Sequence, residues 1–476
     1  MTPRILSFLI AVGLAQAALA QNATLITTFT NPTPAASDFF GVSLVALGDN
    51  RVVIGANQDD TTASNSGSAY LFNTNGTLIT TIANPTPAAN DNFSLSVATD
   101  GVSLVLIGAP GDDIGAVDSG AAYLFDSVGN FIRTFDNPTP AVGDLFGFSV
   151  AMLGRDKVVI GARRDDLEGL KPGAGAVYLF NTNGTYLLTI TKPTILSPTG
   201  GPKAGDNFGY SLSTYKGVES WMDRIVVGAA FDDAPVIDSG GAYLFDGAGN
   251  WVQNFFNPSP TSNDYFGWSV AAIGADSFLV GAYGDDTTGS GVGRVYRLNR
   301  NAGLVASFDK PVPAGEEAFG YSVAALGSDL VVIGARGDNI NIVSKAGRVY
   351  LFNTTGSLVA TIDNPTPATF DYFGSSVGSI GNDKVLVGAY ADDADATDAG
   401  AAYMFALLPP TPPTLAIAPA TPGNATISWT PITPGFVLQE TEALSPVNWT
   451  NSLSGAANPS VAPTTPPGKY FRLKKP

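Results

Sequence analysis

The sequence predicts an all-β protein: a seven-bladed β-propeller closed by its N-terminal strand, followed by a small C-terminal β-sandwich-like module. Three observations predict this fold. A Phe-centred segment recurs seven times along the chain. Each copy holds four short apolar runs separated by turn residues. The repeat region also begins with a single unpaired run and ends with a copy that lacks its fourth run.

The seven copies are anchored by a phenylalanine, which is followed by glycine in six of them and by Ser94 in the second copy. The anchors recur roughly every 55 residues, which is the length of a four-stranded propeller blade. They are Phe40, Phe93, Phe146, Phe208, Phe266, Phe319 and Phe373.

The third copy shows the four runs of a blade. They are residues 146–153, 157–162, 176–180 and 185–190, and all are rich in β-branched and aromatic residues. Gly, Asn and Asp separate the first run from the second and the third from the fourth, as expected of tight turns between antiparallel strands. The second run is apolar at successive positions, which is typical of a strand covered on both faces.

The ends of the repeat region predict a closed ring. The last copy ends at residues 402–405 without a fourth run, whereas residues 25–29 form a run that precedes the first copy. If this N-terminal strand completes the last blade, two sheet edges are hidden and the ring is closed. An open solenoid gives no reason for the offset.

Composition excludes several classes of site. The chain has no Cys and no His, so it has no Ser-His-Asp or Cys-His catalysis, no Cys/His zinc site and no disulfide framework. Its net charge of −17 disfavours binding to nucleic acid or anionic membranes.

Both flanks of the propeller (residues 21–407) differ from it in composition. Residues 1–20 resemble a secretory signal peptide, with Arg4, an apolar stretch and Ala18-Leu19-Ala20 in the required order. No other stretch is apolar for long enough to span a membrane. We therefore expect a protein that is secreted or on the cell surface.

Residues 408–413 (LPPTPP) form a Pro-rich linker. Residues 414–476 are predicted to form the small β domain, with strands at 426–429, 435–439 and 470–473.

Acidic residues recur at two places in every copy, and these are the candidate site residues. One acid stands two residues before each anchor Phe, and an acidic pair follows each Gly-Ala, except that the sixth copy has Asp338-Asn339. The first group is Asp38, Asp91, Asp144, Asp206, Asp264, Glu317 and Asp371. The second group is Asp59, Asp60, Asp112, Asp113, Asp165, Asp166, Asp232, Asp233, Asp285, Asp286, Asp338, Asp392 and Asp393.

Antiparallel pairing brings these acids to one side of the ring, because strand one begins where strand two ends. We call this side the loop face. Two interpretations are open. The acids can bond the main-chain N–H groups of their own turns and fix the loops. Alternatively, the acids of one blade can bind a cation together, with Ca²⁺ as the possible ion.

Two further features bear on the site. The tyrosines at 70, 123, 178, 243, 296, 350 and 403 recur in the third run and are predicted to pack between blades rather than to bind sugars. The fourth copy has longer loops before and after its first run, which indicate either a binding insertion or a neutral loop expansion.

The recurring pattern Phe-Gly-x-Ser-Val-Ala, Val-Ile-Gly-Ala and Gly-Ala-x-Tyr-Leu-Phe resembles the FG-GAP repeat of integrin alpha-chain heads and of many bacterial surface proteins. The resemblance implies a seven-bladed propeller with an extracellular adhesion or ligand-binding role. Family blades often carry a D-x-D-x-D-G calcium loop between strands one and two. That segment is a tight turn here, as at residues 153–156, so the family's usual calcium site does not carry over.

Taken together, the sequence predicts a non-enzymatic extracellular binding or adhesion platform. The expected partner is an extracellular protein or polysaccharide at the loop face, and we expect a monomer. Two alternatives remain: a secreted carbohydrate-active hydrolase or lyase that uses two carboxyl groups, and a purely structural envelope protein.

Overall fold

Strands provide nearly all of the regular structure. The computed structural model describes residues 23–167, 171–194, 201–233, 235–407, 414–419, 424–430, 437–441, 449–451, 460–463 and 470–474. The predicted signal peptide and the 408–413 linker lie outside these residues. A single 3-10 turn, Ser220–Met222, is the one helical element of the described residues, and no helix among them is long and apolar enough to cross a membrane.

Seven four-stranded antiparallel sheets form the blades; six follow the order of their strands in the chain, and the seventh has the N-terminal strand as its fourth. Blade 1 consists of β2 (Phe40–Leu47), β3 (Arg51–Ala56), β4 (Ser68–Asn73) and β5 (Leu78–Ala83). Blade 2 consists of β6 (Ser96–Thr99), β7 (Leu104–Ala109), β8 (Ala121–Asp126) and β9 (Phe131–Asp136). Blade 3 consists of β10 (Phe146–Leu153), β11 (Lys157–Ala162), β12 (Ala176–Asn181) and β13 (Tyr186–Ile190).

The remaining blades repeat this order. Blade 4 consists of β14 (Ser211–Tyr215), β15 (Arg224–Ala229), β16 (Gly241–Asp246) and β17 (Trp251–Phe256). Blade 5 consists of β18 (Ser269–Ala272), β19 (Ser277–Ala282), β20 (Arg294–Asn299) and β21 (Leu304–Asp309). Blade 6 consists of β22 (Phe319–Leu326), β23 (Leu330–Ala335), β24 (Arg348–Asn353) and β25 (Leu358–Asp363). Blade 7 consists of β26 (Ser376–Ile380), β27 (Lys384–Ala389), β28 (Ala401–Leu407) and β1 (Ala23–Thr30).

The N-terminal strand closes the ring, as the offset of the runs predicts. β1 pairs antiparallel with β28, with Phe29 opposite Ala402 and Thr24 opposite Ala406. The first strands of blades 1 and 7, β2 and β26, are also in contact, as are the first strands of all other neighbouring blades. The seven-bladed propeller is therefore confirmed.

The core lies between blades, which explains why the second and third strands are apolar on both faces. Seven clusters of buried side chains each join two neighbouring blades. In the cluster between blades 7 and 1, Phe29 packs edge-on against Phe72 at 5.5 Å, and Phe72 packs against Phe40 at 6.0 Å. Burial on both faces of a strand requires an uninterrupted apolar sequence.

A ring of hydrogen bonds joins the blades at their first strands. The serine of each Phe-Gly-x-Ser segment donates its Oγ proton to a main-chain oxygen of the next blade, as Ser96 does to Gly147 at 2.9 Å and Ser149 does to Gly209 at 2.6 Å. The glycine of each Gly-Ala step lies beside this bond. A Cβ at Gly108 would lie 1.9 Å from the oxygen of Gly147, so only glycine fits there.

The C-terminal unit contains two three-stranded antiparallel sheets. One consists of β29 (Thr414–Pro419), β30 (Asn424–Thr430) and β33 (Ser460–Pro463); the other consists of β32 (Thr450–Asn451), β31 (Val437–Thr441) and β34 (Tyr470–Lys474). Ile427 and Leu438, one from each sheet, form a small buried cluster. The three predicted strands correspond to β30, β31 and β34, and the sandwich-like packing of this unit stays a prediction.

Candidate functional site

The acid that precedes each anchor Phe is buried in all seven blades and fixes its own loop. In blade 1, Asp38 is 1% exposed, and its Oδ2 accepts hydrogen bonds from Asn31 Nδ2 and from the main-chain N–H of Ala35, both at 2.7 Å. The same pair of bonds, with an asparagine and a main-chain N–H as donors, recurs at Asp91, Asp144, Asp264 and Asp371.

The first acid of each pair is also buried and binds the recurrent tyrosine of the third strand. In blade 7, the Tyr403 hydroxyl donates to Asp392 Oδ2 at 2.6 Å, and the other oxygen of Asp392 accepts the main-chain N–H of Ala394 at 2.9 Å. The equivalent Tyr–Asp bond is present in every blade. These tyrosines pack between blades as predicted. Their hydrogen bond to the acid is an additional role that the sequence analysis missed.

The second acid of each pair faces solvent and bonds the far end of the same loop. Asp113 accepts the main-chain N–H of Asp118 at 2.9 Å, and Asp393 accepts that of Asp398 at 2.7 Å. Asn339 takes this place in blade 6, where it accepts the N–H of Lys345 at 2.8 Å. The loop-fixing interpretation of the acids is therefore observed at all three positions.

Burial makes the first group of acids unusual. Burial, with a smaller contribution from the nearby carboxylate of Asp59, raises the pKa of Asp38 to about 6, although the bonds from Ala35 and Asn31 oppose the rise. The pKa is raised to about 6 in four more blades, at Asp91, Asp144, Asp206 and Asp371. Two buried carboxylates thus lie close together in these blades.

In two blades, a lysine replaces the asparagine that binds the first acid. Lys192 in blade 4 forms ion pairs with Asp206 at 3.0 Å and Asp232 at 2.7 Å. Lys310 in blade 6 forms an ion pair with Glu317 at 2.7 Å and lies 3.5 Å from Asp338. Both lysine side chains are buried.

The predicted cation site receives no direct support from acid clustering. Among the described residues, no group of three or more His, Cys, Asp or Glu side chains is arranged to hold a metal ion. Each blade instead brings together two buried carboxylates and leaves the third acidic position in solvent. Cation binding at these residues stays a prediction.

A second feature of the loop face was not predicted from the sequence. It is a group of aromatic and arginine side chains that we call the aromatic cluster. Its members come from blades 1 and 3 to 7 and occupy three repeat positions: the residue after Phe-Gly, the residues that follow Gly-Ala, and the residue that precedes the anchor Phe. The members are Phe39, Phe148, Arg163, Tyr210, Phe231, Tyr265, Trp268, Tyr283, Tyr321, Arg336, Tyr372 and Tyr390.

The cluster is continuous across these blades. The Trp268 ring lies 4.5 Å from the ring centroids of both Tyr210 and Tyr283, and 5.3 Å from that of Tyr321. At one end, the Arg163 guanidinium lies 4.2 Å from the centre of the Phe148 ring. All of these side chains are half-buried, so each keeps part of its surface in solvent.

Arg336 stands at the other end of the cluster. Its guanidinium lies 3.7 Å from the centre of the Tyr321 ring, and it donates to the Tyr390 hydroxyl at 3.2 Å. The rings of Tyr372 and Tyr390 stack at 5.4 Å beside it. Within the described residues, Arg336 forms no ion pair with a carboxylate, in contrast to Arg294 and Arg348.

The cluster stands where the central channel opens on the loop face. The channel is lined by strand-one residues of all seven blades, including Phe148, Trp268 and Tyr321, and has a volume of about 310 Å³. The residue after Phe-Gly, or after Phe93-Ser94 in blade 2, is non-aromatic in three blades, where it is Val42, Leu95 and Ser375. The rings that line the channel mouth therefore come from blades 3 to 6 and break the repetition of the blades.

A pocket adjoins the cluster between blades 5, 6 and 7. It has a volume of about 400 Å³, and its lining includes Tyr265, Tyr283, Arg336, Lys345 and Tyr372. Burial raises the pKa of Tyr283 to about 12, so this tyrosine is neutral at physiological pH and its hydroxyl can donate a hydrogen bond. The pocket offers ring faces, hydroxyl groups and two cationic side chains.

The closed ring of four-stranded sheets, with its loop face and channel, defines the class: the protein is a β-propeller. The model of the FG-GAP repeat matches residues 25–72, 81–125, 140–180, 258–298, 312–352 and 359–405. These segments make up more than half of the chain, which therefore belongs to the FG-GAP repeat family. Blade 4, with its longer loops, lies in the gap between matched segments.

Solved propellers are similar to this chain in fold alone. The structure of U3-55K is 13% identical, with a TM-score of 0.52 over 81% of this chain and 98% of that one. The WD40 β-propeller domain of Doa1 is 12% identical, with a TM-score of 0.47 over 82% of this chain and 98% of that one. No curated protein sequence matches the chain.

The aromatic cluster could have been found from the sequence by one signal. At most repeat positions the seven copies carry similar residues, whereas the residue after Phe-Gly changes from Val42 and Leu95 to Phe148, Tyr210 and Trp268. When a position varies while its neighbours repeat, the packing of the blade does not require a particular residue there. Such positions are the ones on which a ligand can act.

Proposed function

We propose that this protein is an extracellular binding platform and that its ligand, a polysaccharide chain, binds over the aromatic cluster at the mouth of the channel. The observation that supports this most strongly is the asymmetry of the cluster. Stability of the ring requires the same packing in each blade, so half-buried rings that line the channel mouth in blades 3 to 6 alone have no such structural reason.

The chemistry of the pocket supports a sugar as the bound unit. A volume of about 400 Å³ lies in the range of small-ligand pockets, roughly 300–1,000 Å³. Ring faces provide apolar contact for the C–H face of a sugar, and tyrosine hydroxyls provide polar contacts. Tyr, Trp and Arg are also the residues that dominate protein interfaces, so binding of a protein instead is an outcome that the experiment must separate.

The acidic surface of the protein agrees with this proposal. A net charge of −17 opposes the approach of nucleic acid, and the exposed acids of the loop face, such as Asp113 and Asp393, add to that repulsion. Export is supported by the signal-like residues 1–20 and by the extracellular occurrence typical of FG-GAP repeats. We propose a non-catalytic role and a monomeric state.

One observation favours a second candidate, a secreted carbohydrate-active hydrolase or lyase. Asp286 and Glu316 line the same pocket, and glycoside hydrolysis requires two carboxyl groups that flank the scissile bond. This activity would release reducing ends from a bound polysaccharide. The double variant Asp286→Asn/Glu316→Gln should abolish that release. A structural envelope protein would show no saturable ligand.

The test is a binding screen of the purified mature protein against a panel of polysaccharides, followed by calorimetry on any that bind. We expect Trp268→Ala to weaken binding by at least about tenfold, because loss of a central aromatic contact costs on the order of 2 kcal/mol.

Trp221→Ala is the matched control. Trp221 is 66% exposed and lies in the connection between strands one and two of blade 4, at the opposite end of the strands from the loop face. Equal losses in the two variants, or binding that survives Trp268→Ala, would place the ligand elsewhere. Saturable binding of an extracellular protein, but of no polysaccharide, would replace the sugar with a protein ligand.

A further inference from the structure

The seven blades differ at one buried position, the first residue of the loop that precedes each pre-Phe acid. This residue is asparagine in five blades and lysine in two, and every one of these side chains is at most 5% exposed. They are Asn31, Asn84, Asn137, Asn257 and Asn364, and Lys192 and Lys310.

In blade 4, the lysine places a positive charge between the two buried carboxylates. Lys192 Nζ lies 3.0 Å from Asp206 and 2.7 Å from Asp232, and all three side chains are at most 1% exposed. In blade 6, Lys310 Nζ makes the corresponding approach to Glu317 and Asp338. An ammonium group that reaches both acids shows that the space between them accepts a cation.

In the five blades that have asparagine at this position, no lysine ammonium lies between the pre-Phe acid and the first acid of the following pair. The amide of Asn31 satisfies only Oδ2 of Asp38. Oδ1 of Asp38 is buried and has no hydrogen-bond partner among the described residues, and the same is true of Oδ1 of Asp371 in blade 7. A buried carboxylate oxygen without a partner is costly, and the neighbouring Asp59 or Asp392 adds repulsion.

Blades 2 and 3 make the same asparagine bond as blades 1 and 7, but a partner-free Oδ1 is found only at Asp38 and Asp371 among the described pre-Phe acids. Asn84 and Asn137 each donate to Oδ2 of the pre-Phe acid, at 2.7 Å and 2.8 Å. Blade 5 differs, because the hydroxyl of Thr261 donates to Oδ1 of Asp264 at 2.5 Å. Blades 1 and 7 therefore combine an acid pair that lacks a lysine with a buried oxygen of the pre-Phe acid that has no hydrogen-bond partner among the described residues.

We propose that blades 1 and 7 each bind one hard cation between Oδ1 of the pre-Phe acid and the first acid of the following pair. Carboxylate oxygens are the ligands that hard cations such as Ca²⁺ and the alkali ions prefer. The cation joins the loop before strand one to the loop after strand two in the same blade. This inference is independent of the proposed function, because no member of the aromatic cluster takes part.

Exchange of Asn and Lys provides the experiment. The mature protein is freed of bound metal and its melting temperature is measured in tetramethylammonium chloride, a cation too large for the site, and then with Ca²⁺, Na⁺ or K⁺ at equal ionic strength. We expect one or more of these ions to raise the melting temperature of the wild-type protein by mass action.

Asn31→Lys should place an ammonium in the blade 1 site. This variant should melt at a higher temperature than wild type in tetramethylammonium chloride and gain less from the added cation. Elemental analysis or calorimetry should count one bound cation fewer, and two fewer in Asn31→Lys/Asn364→Lys. Asn75→Lys, in the exposed β4–β5 turn of the same blade, adds the same charge and should leave the count unchanged.

The reverse change tests the same site if the lysine variants fold poorly. Lys310→Asn should melt at a lower temperature than wild type without added cation and recover when the cation is supplied. A wild-type protein whose melting is identical in all four salts overturns the proposal. The proposal is also overturned if the Asn31→Lys variant binds as many cations as the wild-type protein. The ion that gives saturable stabilisation identifies whether the sites prefer Ca²⁺ or a monovalent ion.

Discussion

Ser376, in the first strand of blade 7, donates a hydrogen bond from its Oγ to the main-chain oxygen of Gly41 in blade 1, at 2.7 Å. The two residues are 335 positions apart in the chain. Equivalent serine bonds join the six remaining pairs of neighbouring blades, so this bond is the seventh member of the ring. The ring is thus closed at the channel by Ser376 and within blade 7 by the pairing of β1 with β28.

Loss of the N-terminal strand should open the ring. Deletion of residues 23–29 exposes the edge of β28 and removes Phe29, which is 1% exposed. We expect a large fall in melting temperature and concentration-dependent aggregation.

Point variants separate packing from edge protection. Phe29→Ala should cost about 3–5 kcal/mol of unfolding free energy, measured by denaturant titration. Leu25→Ala, at a position that is 40% exposed in the same strand, should cost much less. A deletion that melts like the full protein would contradict the closure of the ring.

The Gly-Ala step should not tolerate a larger residue. In Gly108→Ala, the new Cβ would lie 1.9 Å from Gly147 O and 2.5 Å from Ser96 Oγ, so the two blades must separate. We expect a loss of about 3 kcal/mol. Gly143→Ala is the control: its φ is +82° and no atom lies within 4 Å of the new Cβ, so it should cost only about 1–2 kcal/mol. Equal losses in the two variants would mean that the contact between blades is not tight.

The Tyr–Asp bond should stabilise each loop. Tyr403→Phe removes a buried donor and leaves Asp392 Oδ2 without its 2.6 Å partner. We expect a loss of about 1–3 kcal/mol, because the acid is buried. Tyr186→Phe, at a position that is 46% exposed, should change the unfolding free energy by less than about 0.5 kcal/mol. A neutral Tyr403→Phe would show that water replaces the hydroxyl.

Stability should depend on pH through the pre-Phe acids. Burial raises the pKa of Asp38 from 3.8 to about 6, and the pKa of Asp371 likewise. The folded protein thus binds these protons more tightly than the unfolded chain does. The resulting stability is fully present below pH 3.8 and is lost as the pH rises through 6.

In metal-free tetramethylammonium chloride, we therefore expect these acids to lower the melting temperature between pH 4 and pH 7, with little further change above pH 7. Asp38→Asn should reduce this dependence, because it removes one of the groups that titrate. Asp49→Asn, at an exposed turn position of the same blade, should leave it unchanged. A wild-type melting temperature that rises throughout this range, with no effect of Asp38→Asn, would contradict the assignment.

Local pattern was sufficient to predict the blades. A strand that is apolar on both faces, such as residues 157–162, must be covered on both faces, and stacked blades provide that cover. The recurrence of anchor residues such as Phe146 sets the number of blades, and the unpaired run at 25–29 predicts how the ring closes. The sequence also predicted that the acids of strands one and two meet at one face, since antiparallel pairing requires it. Their burial and the tyrosine bond were not predicted, because an Asp in a turn usually faces water.

The sequence alone determined the number of blades, the strand order and the closure of the ring, because these follow from a period and from hydrophobic burial. Tertiary structure decided which residues from different blades meet. Arg163, Trp268 and Arg336 lie far apart in the chain and converge only because strand-one residues of every blade surround one axis. Likewise, the ion pairs of Lys192 appear only when two loops are folded onto each other. Contacts of this kind have no period along the chain, so no local pattern could have shown them.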